Sequence, residues 1–204
     1  MKHIFSLILL LLTLWATAQN PATYTIYNAK GKKVSYNKMI KTLAKQDIIL
    51  FGEQHNSAIA HWLQLKVTKE LSAKRSIQLG AEMIEADNQE ALNRYLSDSI
   101  TQKGLDTTAR LWPNYATDYA PLVDFAKANN LRFTATNIPR RYASMVYRNG
   151  FSALDTLSNL EKSWMAPLPI AFDASLPTYH SILKMMGPHG SPKLVMSQAI
   201  KDAT

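Results

Sequence analysis

The stretch that decides the fold is Asp47-Ile48-Ile49-Leu50-Phe51-Gly52-Glu53-Gln54-His55. Its first half is a short, continuous apolar run closed by a glycine, the pattern of a strand buried on both faces of a parallel sheet. Beyond it, Ile59, Trp62, Leu63, Val67 and Leu71 recur at helical spacing after Ser57, which predicts an amphipathic helix. Ser76 to Met83 reads as a second buried strand. Asp87, with Glu90 three residues later, resembles a capping box opening a helix that carries Leu92, Tyr95 and Leu96. Asp118, with Pro121 in the first turn, opens another that carries Leu122, Phe125 and Ala126 and ends at Asn129-Asn130. Leu131 to Thr136 forms the third strand, broken by Asn137-Ile138-Pro139. Strand, helix, strand, helix, strand predicts an α/β fold with a parallel sheet flanked by helices and joined by right-handed crossovers.

On either side of this core the pattern changes. Residues 19–45 read as an entry segment, with a short hairpin turning at Gly31-Lys32-Lys33 and a helix around Met39 to Ala44. Residues 46–139 are the α/β core, and 140–204 read as a helical subdomain. Its pieces are Arg141 to Tyr147, Ser152 to Leu160, Pro177 to Met186 and Pro192 to Ala203, divided by Gly150, Pro167, Pro169 and Gly187-Pro188. Three parallel strands with a bare edge make an incomplete sheet. The expectation is that the C-terminal part of the domain is missing.

Residues 1–18 have the layout of a secretory signal peptide: a basic start at Lys2, an apolar run from Ile4 to Trp15, and Ala16-Thr17-Ala18 as the cleavage site. The apolar run is shorter than the roughly 20 residues of a membrane span. There is no cysteine, so the fold rests on its core without disulfides and no lipid-accepting cysteine is present. A periplasmic or secreted product is therefore expected. The formal charge of +8 is spread over single residues and pairs such as Lys32-Lys33, Lys74-Arg75 and Arg140-Arg141. That scatter argues against nucleic acid and fits an anionic small ligand or an acidic surface.

Ligands of open α/β sheets bind beyond the C-terminal ends of the strands. Glu53 and His55 follow the first strand and, being two residues apart, project to one side if the chain stays extended. Glu82 occupies the end of the second strand and Asn137 that of the third. Glu53, His55 and Glu82 are candidate ligands for a divalent metal ion, or a carboxylate orienting an imidazole for acid-base work. The same Glu-His pair also suits a cap on the following helix. His61, beside Trp62 on that helix, reads as structural.

Four ordered blocks carry a resemblance to a known family: Phe51-Gly52-Glu53-Gln54-His55-Asn56 as a GExH motif, Leu79-Gly80-Ala81-Glu82-Met83, Trp112-Pro113-Asn114-Tyr115 through Asp118-Tyr119-Ala120-Pro121-Leu122, and Thr136-Asn137-Ile138-Pro139-Arg140. Together they resemble the ChaN-like haem-binding proteins of the haem-binding uptake, Tiki and erythromycin-esterase-like superfamily, from about residue 45 onward. The resemblance implies an exported protein that binds haem in bacterial iron or haem uptake without covalent chemistry of its own. It further implies a homodimer that sandwiches cofactors and an outer-membrane haem or iron receptor as partner. Relatives in the wider superfamily are metal-dependent hydrolases, which gives the alternative in which Glu53, His55 and Glu82 bind an ion and activate water. Those enzymes add a second Gly-x-x-His, which this sequence does not reach.

Haem iron accepts Tyr, His, Met or Cys. Tyr179-His180 and Met185-Met186-Gly187-Pro188-His189-Gly190 resemble the family segment associated with haem. The resemblance makes Tyr179 the first choice of ligand, with His180 or His189 as hydrogen-bonding partner or substitute. Met185 and Met186 suit either a flat apolar ligand or the helix core. Arg140 and Arg141 are candidates to pair with the haem propionates.

Overall fold

A computed structural model of the chain describes residues 23–203; the expected signal peptide lies outside them. The chain divides into two compact units between Ile49 and Leu50. In the first, β1 (Ile26–Tyr27) pairs antiparallel with β2 (Lys33–Val34), Ile26 facing Val34. The hairpin turns as the sequence implies. The Asn28 carboxamide oxygen accepts from the backbone N–H groups of Lys30 and Lys32, each at 3.0 Å, and Gly31 takes the positive φ of +70° that a side chain would resist. Helix α1 (Tyr36–Leu43) starts where the Ser35 hydroxyl accepts from the Lys38 N–H, and it buries Ile40.

The expected first strand does not form. Among the described residues, Asp47 to Phe51 pairs with no neighbour, and Ile48 and Leu50 are 79% and 91% exposed. Apolar composition prescribes burial, but a strand exists only where another backbone supplies its ladder, and the remaining two strands pair with each other alone.

The second unit contains α2 (Ala58–Ser72), capped by the Ser57 hydroxyl, and then β3 (Leu79–Glu85). Three residues of 3-10 helix, Ala86–Asn88, lead into α3 (Gln89–Leu96), and Thr101 caps α4 (Gln102–Thr108). A π-helical turn, Tyr115–Tyr119, runs straight into α5 (Ala120–Ala128), and β4 (Phe133–Asn137) follows. Strands β3 and β4 are parallel, with Leu79 opposite Phe133 and an irregularity between Ala81 and Glu85 that leaves Glu85 opposite Asn137. The Gln89 side chain donates to the Phe133 carbonyl at 2.9 Å and accepts from the Ala135 N–H at 2.7 Å, standing in for a neighbouring strand on β4.

One face of this pair is buried through Ala81, Met83, Phe133 and Ala135, and packs with Leu92, Val123 and Tyr119. Each such large apolar side chain contributes about 1.5–3 kcal/mol by leaving water. The other face carries Gly80, Glu82, Thr134 and Thr136, all exposed. The predicted α/β class therefore holds, with a two-stranded parallel sheet in place of three strands.

Past Pro139 the chain is mainly helical: α6 (Arg140–Asn149), a 3-10 stretch (Phe151–Thr156), α7 (Asn159–Lys162), α8 (Pro177–Met186), a 3-10 turn (Gly187–His189) and α9 (Pro192–Ala203), the expected piece Ser152 to Leu160 being split at Leu157-Ser158. Gly150 ends α6 at φ +78°, and a reciprocal capping box of Ser158 and Glu161 opens α7. Ile138, Tyr142, Val146 and Leu154 form a core with Ile200 of α9, and the Ser197 hydroxyl donates to the Ala143 carbonyl at 2.9 Å. No helix among the described residues is long and apolar enough to cross a membrane.

Candidate functional site

Two places in the second unit hold the sequence-predicted residues. The first is built around Glu53, between the apolar run and α2. Its Oε1 accepts from the Tyr119 phenol at 2.6 Å and lies 3.0 Å from the His55 Nδ1, and its Oε2 accepts from the Gln64 amide. His61, on the first turn of α2 and buried, places Nδ1 3.4 Å from Glu53 Oε2, within ion-pair reach but without hydrogen-bond geometry. The other imidazole nitrogen, Nε2, is 3.1 Å from the His55 carbonyl and 3.7 Å from Asp118 Oδ2. Asn114 ties the loop down by donating to that same carbonyl at 2.9 Å and to Asp118 at 2.7 Å. Edge-to-face ring contacts of His55 with Trp112, Trp112 with Tyr119 and Tyr119 with His61 close the cluster.

Burial works against the charge on Glu53, but the hydrogen bonds from Tyr119, His55 and Gln64 and the nearby His61 outweigh it and hold its carboxyl below the usual value. Burial and then the Glu53 carboxylate push the Tyr119 phenol upward, so it stays a donor. The cluster is thus an ionised carboxylate served by at least three donor groups, with His55 presented to solvent.

Glu53 and His55 meet as the spacing implies, but Glu82 does not join them. Strand β3 runs on to Glu85, so Glu82 lies within it, on the exposed face, with no hydrogen bond or ion pair to either residue. Asn137 ends β4 opposite Glu85. Among the described residues, no group of three His, Cys, Asp or Glu side chains is disposed to hold a metal ion, so the set Glu53, His55 and Glu82 is not assembled as a metal site.

The sequence reading passes over Gln64, takes His61 as structural and Asp118 as a helix start, and names Asn114 and Tyr119 only within a resemblance block. His61 and Gln64 stand three apart on one face of α2, a spacing that was there to be read. The π-turn that swings Asp118 and Tyr119 onto Glu53 has no signature in composition or period; such turns are rare and concentrate at functional sites.

The second place is the helical region. Tyr179, on α8, is buried against Phe172, with ring centroids 5.5 Å apart, and packs with Val195 and Ala199 of α9. Burial, then the charge of Asp202, raises its phenol pKa, and its hydroxyl makes no hydrogen bond among the described residues. His180, the next residue, is exposed, as is His189 in the 3-10 turn. Leu176, Met185 and Met186 are exposed apolar side chains here, Met185 being 78% exposed. The core reading of this methionine pair is therefore corrected: the inner face of α8 is taken by Tyr179, Ile182 and Leu183.

Arg140 begins α6 and is exposed, whereas Arg141 is committed elsewhere. Its guanidinium donates to Asp87 and to the Tyr142 hydroxyl and stacks near Trp164, while Arg110 donates to the other Asp87 oxygen and to Glu85. Asp87 is thus the anchor of two arginines, not the helix cap its position in the sequence implies.

A parallel strand pair with a fixed polar cluster at its entry loop and a helical region bearing a buried tyrosine make an α/β domain. The chain belongs to the family described as haem-binding uptake, Tiki superfamily, ChaN, whose family model matches residues 39–204. In structure it is similar to a solved protein described as "Cofacial heme binding to ChaN of Campylobacter jejuni", with a TM-score of 0.59 and 18% identity, over 84% of this chain and 67% of that one. At that identity the likeness is one of fold. No curated protein matches the chain in sequence.

Proposed function

We propose that this protein binds haem and serves bacterial iron or haem uptake outside the cytoplasm, in the periplasm or as a secreted protein. The observation that carries the reading is the family match over residues 39–204. Cofacial haem binding by the C. jejuni protein supports a homodimer as the loaded form here, and an outer-membrane haem or iron receptor is the partner that such a carrier needs.

The residues of the helical region fit the group. Haem asks for an axial ligand and an apolar surface; the Tyr179 phenol has no hydrogen-bond partner among the described residues, and Leu176, Met185 and Met186 are apolar and open to solvent. Bound haem supplies the iron that is the cargo. Tyr179 holds it as phenolate, and His180 or His189 donates a hydrogen bond or substitutes as ligand. The hydrolase alternative needs Glu53, His55 and Glu82 around one ion, and the position of Glu82 gives it no support.

Ferric haem added to the wild-type protein and to Tyr179→Phe, His180→Ala and His189→Ala variants tests the assignment by absorbance. The phenolate-to-iron charge-transfer band is expected in the wild type and lost in Tyr179→Phe, with smaller shifts in the histidine variants. An unchanged band in Tyr179→Phe overturns the ligand, and a folded wild-type protein without a saturable Soret shift overturns haem binding.

A further inference from the structure

We propose that the cations that receive the haem carboxylates are Arg148 and Lys193, and not Arg140; this rests on the haem reading above. Arg140 and Arg148 stand at opposite ends of α6, eight residues apart in sequence, which is about 12 Å at the helical rise of about 1.5 Å per residue. The tyrosine lies at the Arg148 end. Tyr179 packs on Phe172, Phe172 on Phe151 at 5.5 Å, and Phe151 follows Gly150, the residue that ends α6 just after Arg148-Asn149. From the other side, Lys193 lies in the first turn of α9, one turn or less before Val195 and Met196. Val195 belongs to the Tyr179 cluster, and a Cβ on Gly150 would meet the Met196 methyl at 3.7 Å. The two cations adjoin, the Lys193 ammonium lying 3.4 Å from the Arg148 backbone carbonyl.

Both side chains are exposed, and neither has an acidic partner among the described residues. The contrast with Arg110 and Arg141 is chemical, since those guanidiniums are already held by Asp87 and Glu85. A dianionic, largely apolar ligand seated beside Tyr179 finds its apolar contacts on α8 and its counter-charges at the junction of α6 and α9. Arginine offers a fork suited to one carboxylate and lysine a point charge for the other.

The test is an absorbance titration of the wild-type chain and of Arg148→Gln/Lys193→Gln and Arg140→Gln variants with haem and with haem dimethyl ester, whose carboxylates are masked. The double variant is expected to bind haem about three- to tenfold more weakly, the range two exposed ion pairs give, while its affinity for the ester and the haem affinity of Arg140→Gln match the wild type. Wild-type haem affinity in the double variant, or an equal loss for haem and ester, overturns the assignment and leaves haem binding standing. Absence of saturable haem binding by the wild-type protein is the separate failure of the reading beneath it, and the assignment falls with it.

Discussion

The Tyr119 phenol donates to Glu53 Oε1 across 2.6 Å and links the π-helical turn ahead of α5 to the loop that enters α2. Tyr119 is buried and the Glu53 side chain is largely covered, so the bond is only partly open to competing water. A hydrogen bond to a charged group contributes about 1.5–3 kcal/mol. Tyr119→Phe is therefore expected to lower unfolding free energy by about that amount, read from urea denaturation at neutral pH.

The acid limb follows from the same carboxyl. The folded-state pKa of Glu53 lies below its ordinary value of 4.5, so its ionised form favours the fold. That stabilisation is complete above the ordinary value and is lost as pH falls through the depressed one. Unfolding free energy should drop on acidification below about pH 4.5, the carboxyl range, and the drop should be smaller in Tyr119→Phe, where the shift is reduced. An identical acid limb in both proteins contradicts the assignment.

Asp87, in the turn that follows β3, makes a comparable case. It is nearly buried and accepts from Arg110, Arg141 and Asn88. Asp87→Ala removes one acceptor from each of two cations and an amide and should cost about 1–3 kcal/mol. Arg110→Ala, at a half-exposed position, should cost about 1 kcal/mol or less. Thermal unfolding of both variants ranks the two.

Leu92 is wholly buried in the cluster around β3 and β4. Leu92→Ala should destabilise by about 2–5 kcal/mol through lost transfer energy and the cavity left behind, measured by chemical denaturation.

The helical half was legible because its signals are local. Proline and glycine punctuation marked α8 and α9 as Pro177–Met186 and Pro192–Ala203, the bounds the structure shows. Strands β3 and β4 were legible from apolar runs, within three residues at each end. Asp47 to Phe51 was misread because a run of Ile, Leu and Phe records a demand for burial and says nothing of the partner that must meet it. Helix α4 went unseen since Gln102-Lys103-Gly104 carries no apolar period and a glycine weakens it. Glu53 and His55 were visible as a pair, but the donors that complete their environment come from α2 and from a π-turn more than 50 residues on, a long-range closure that no single stretch encodes.

Ligation by Tyr179 carries its own pH signature. On the proposed ligation the group that would bind ferric iron is the phenolate, and burial holds the phenol above its ordinary pKa of 10.0, so a proton would leave on binding. Haem affinity should rise with pH between about 6 and 9, by up to about tenfold per unit. Tyr179→Phe should flatten the dependence. A wild-type affinity that is flat or falls with pH contradicts phenolate ligation.

Haem binding itself is tested most directly by titrating ferric haem into the wild-type protein at constant pH and following the Soret band against a protein-free blank. Saturation at a fixed ratio of haem to chain, with an affinity of about micromolar or tighter, is the predicted result. A folded protein whose spectrum follows the blank at every addition contradicts it.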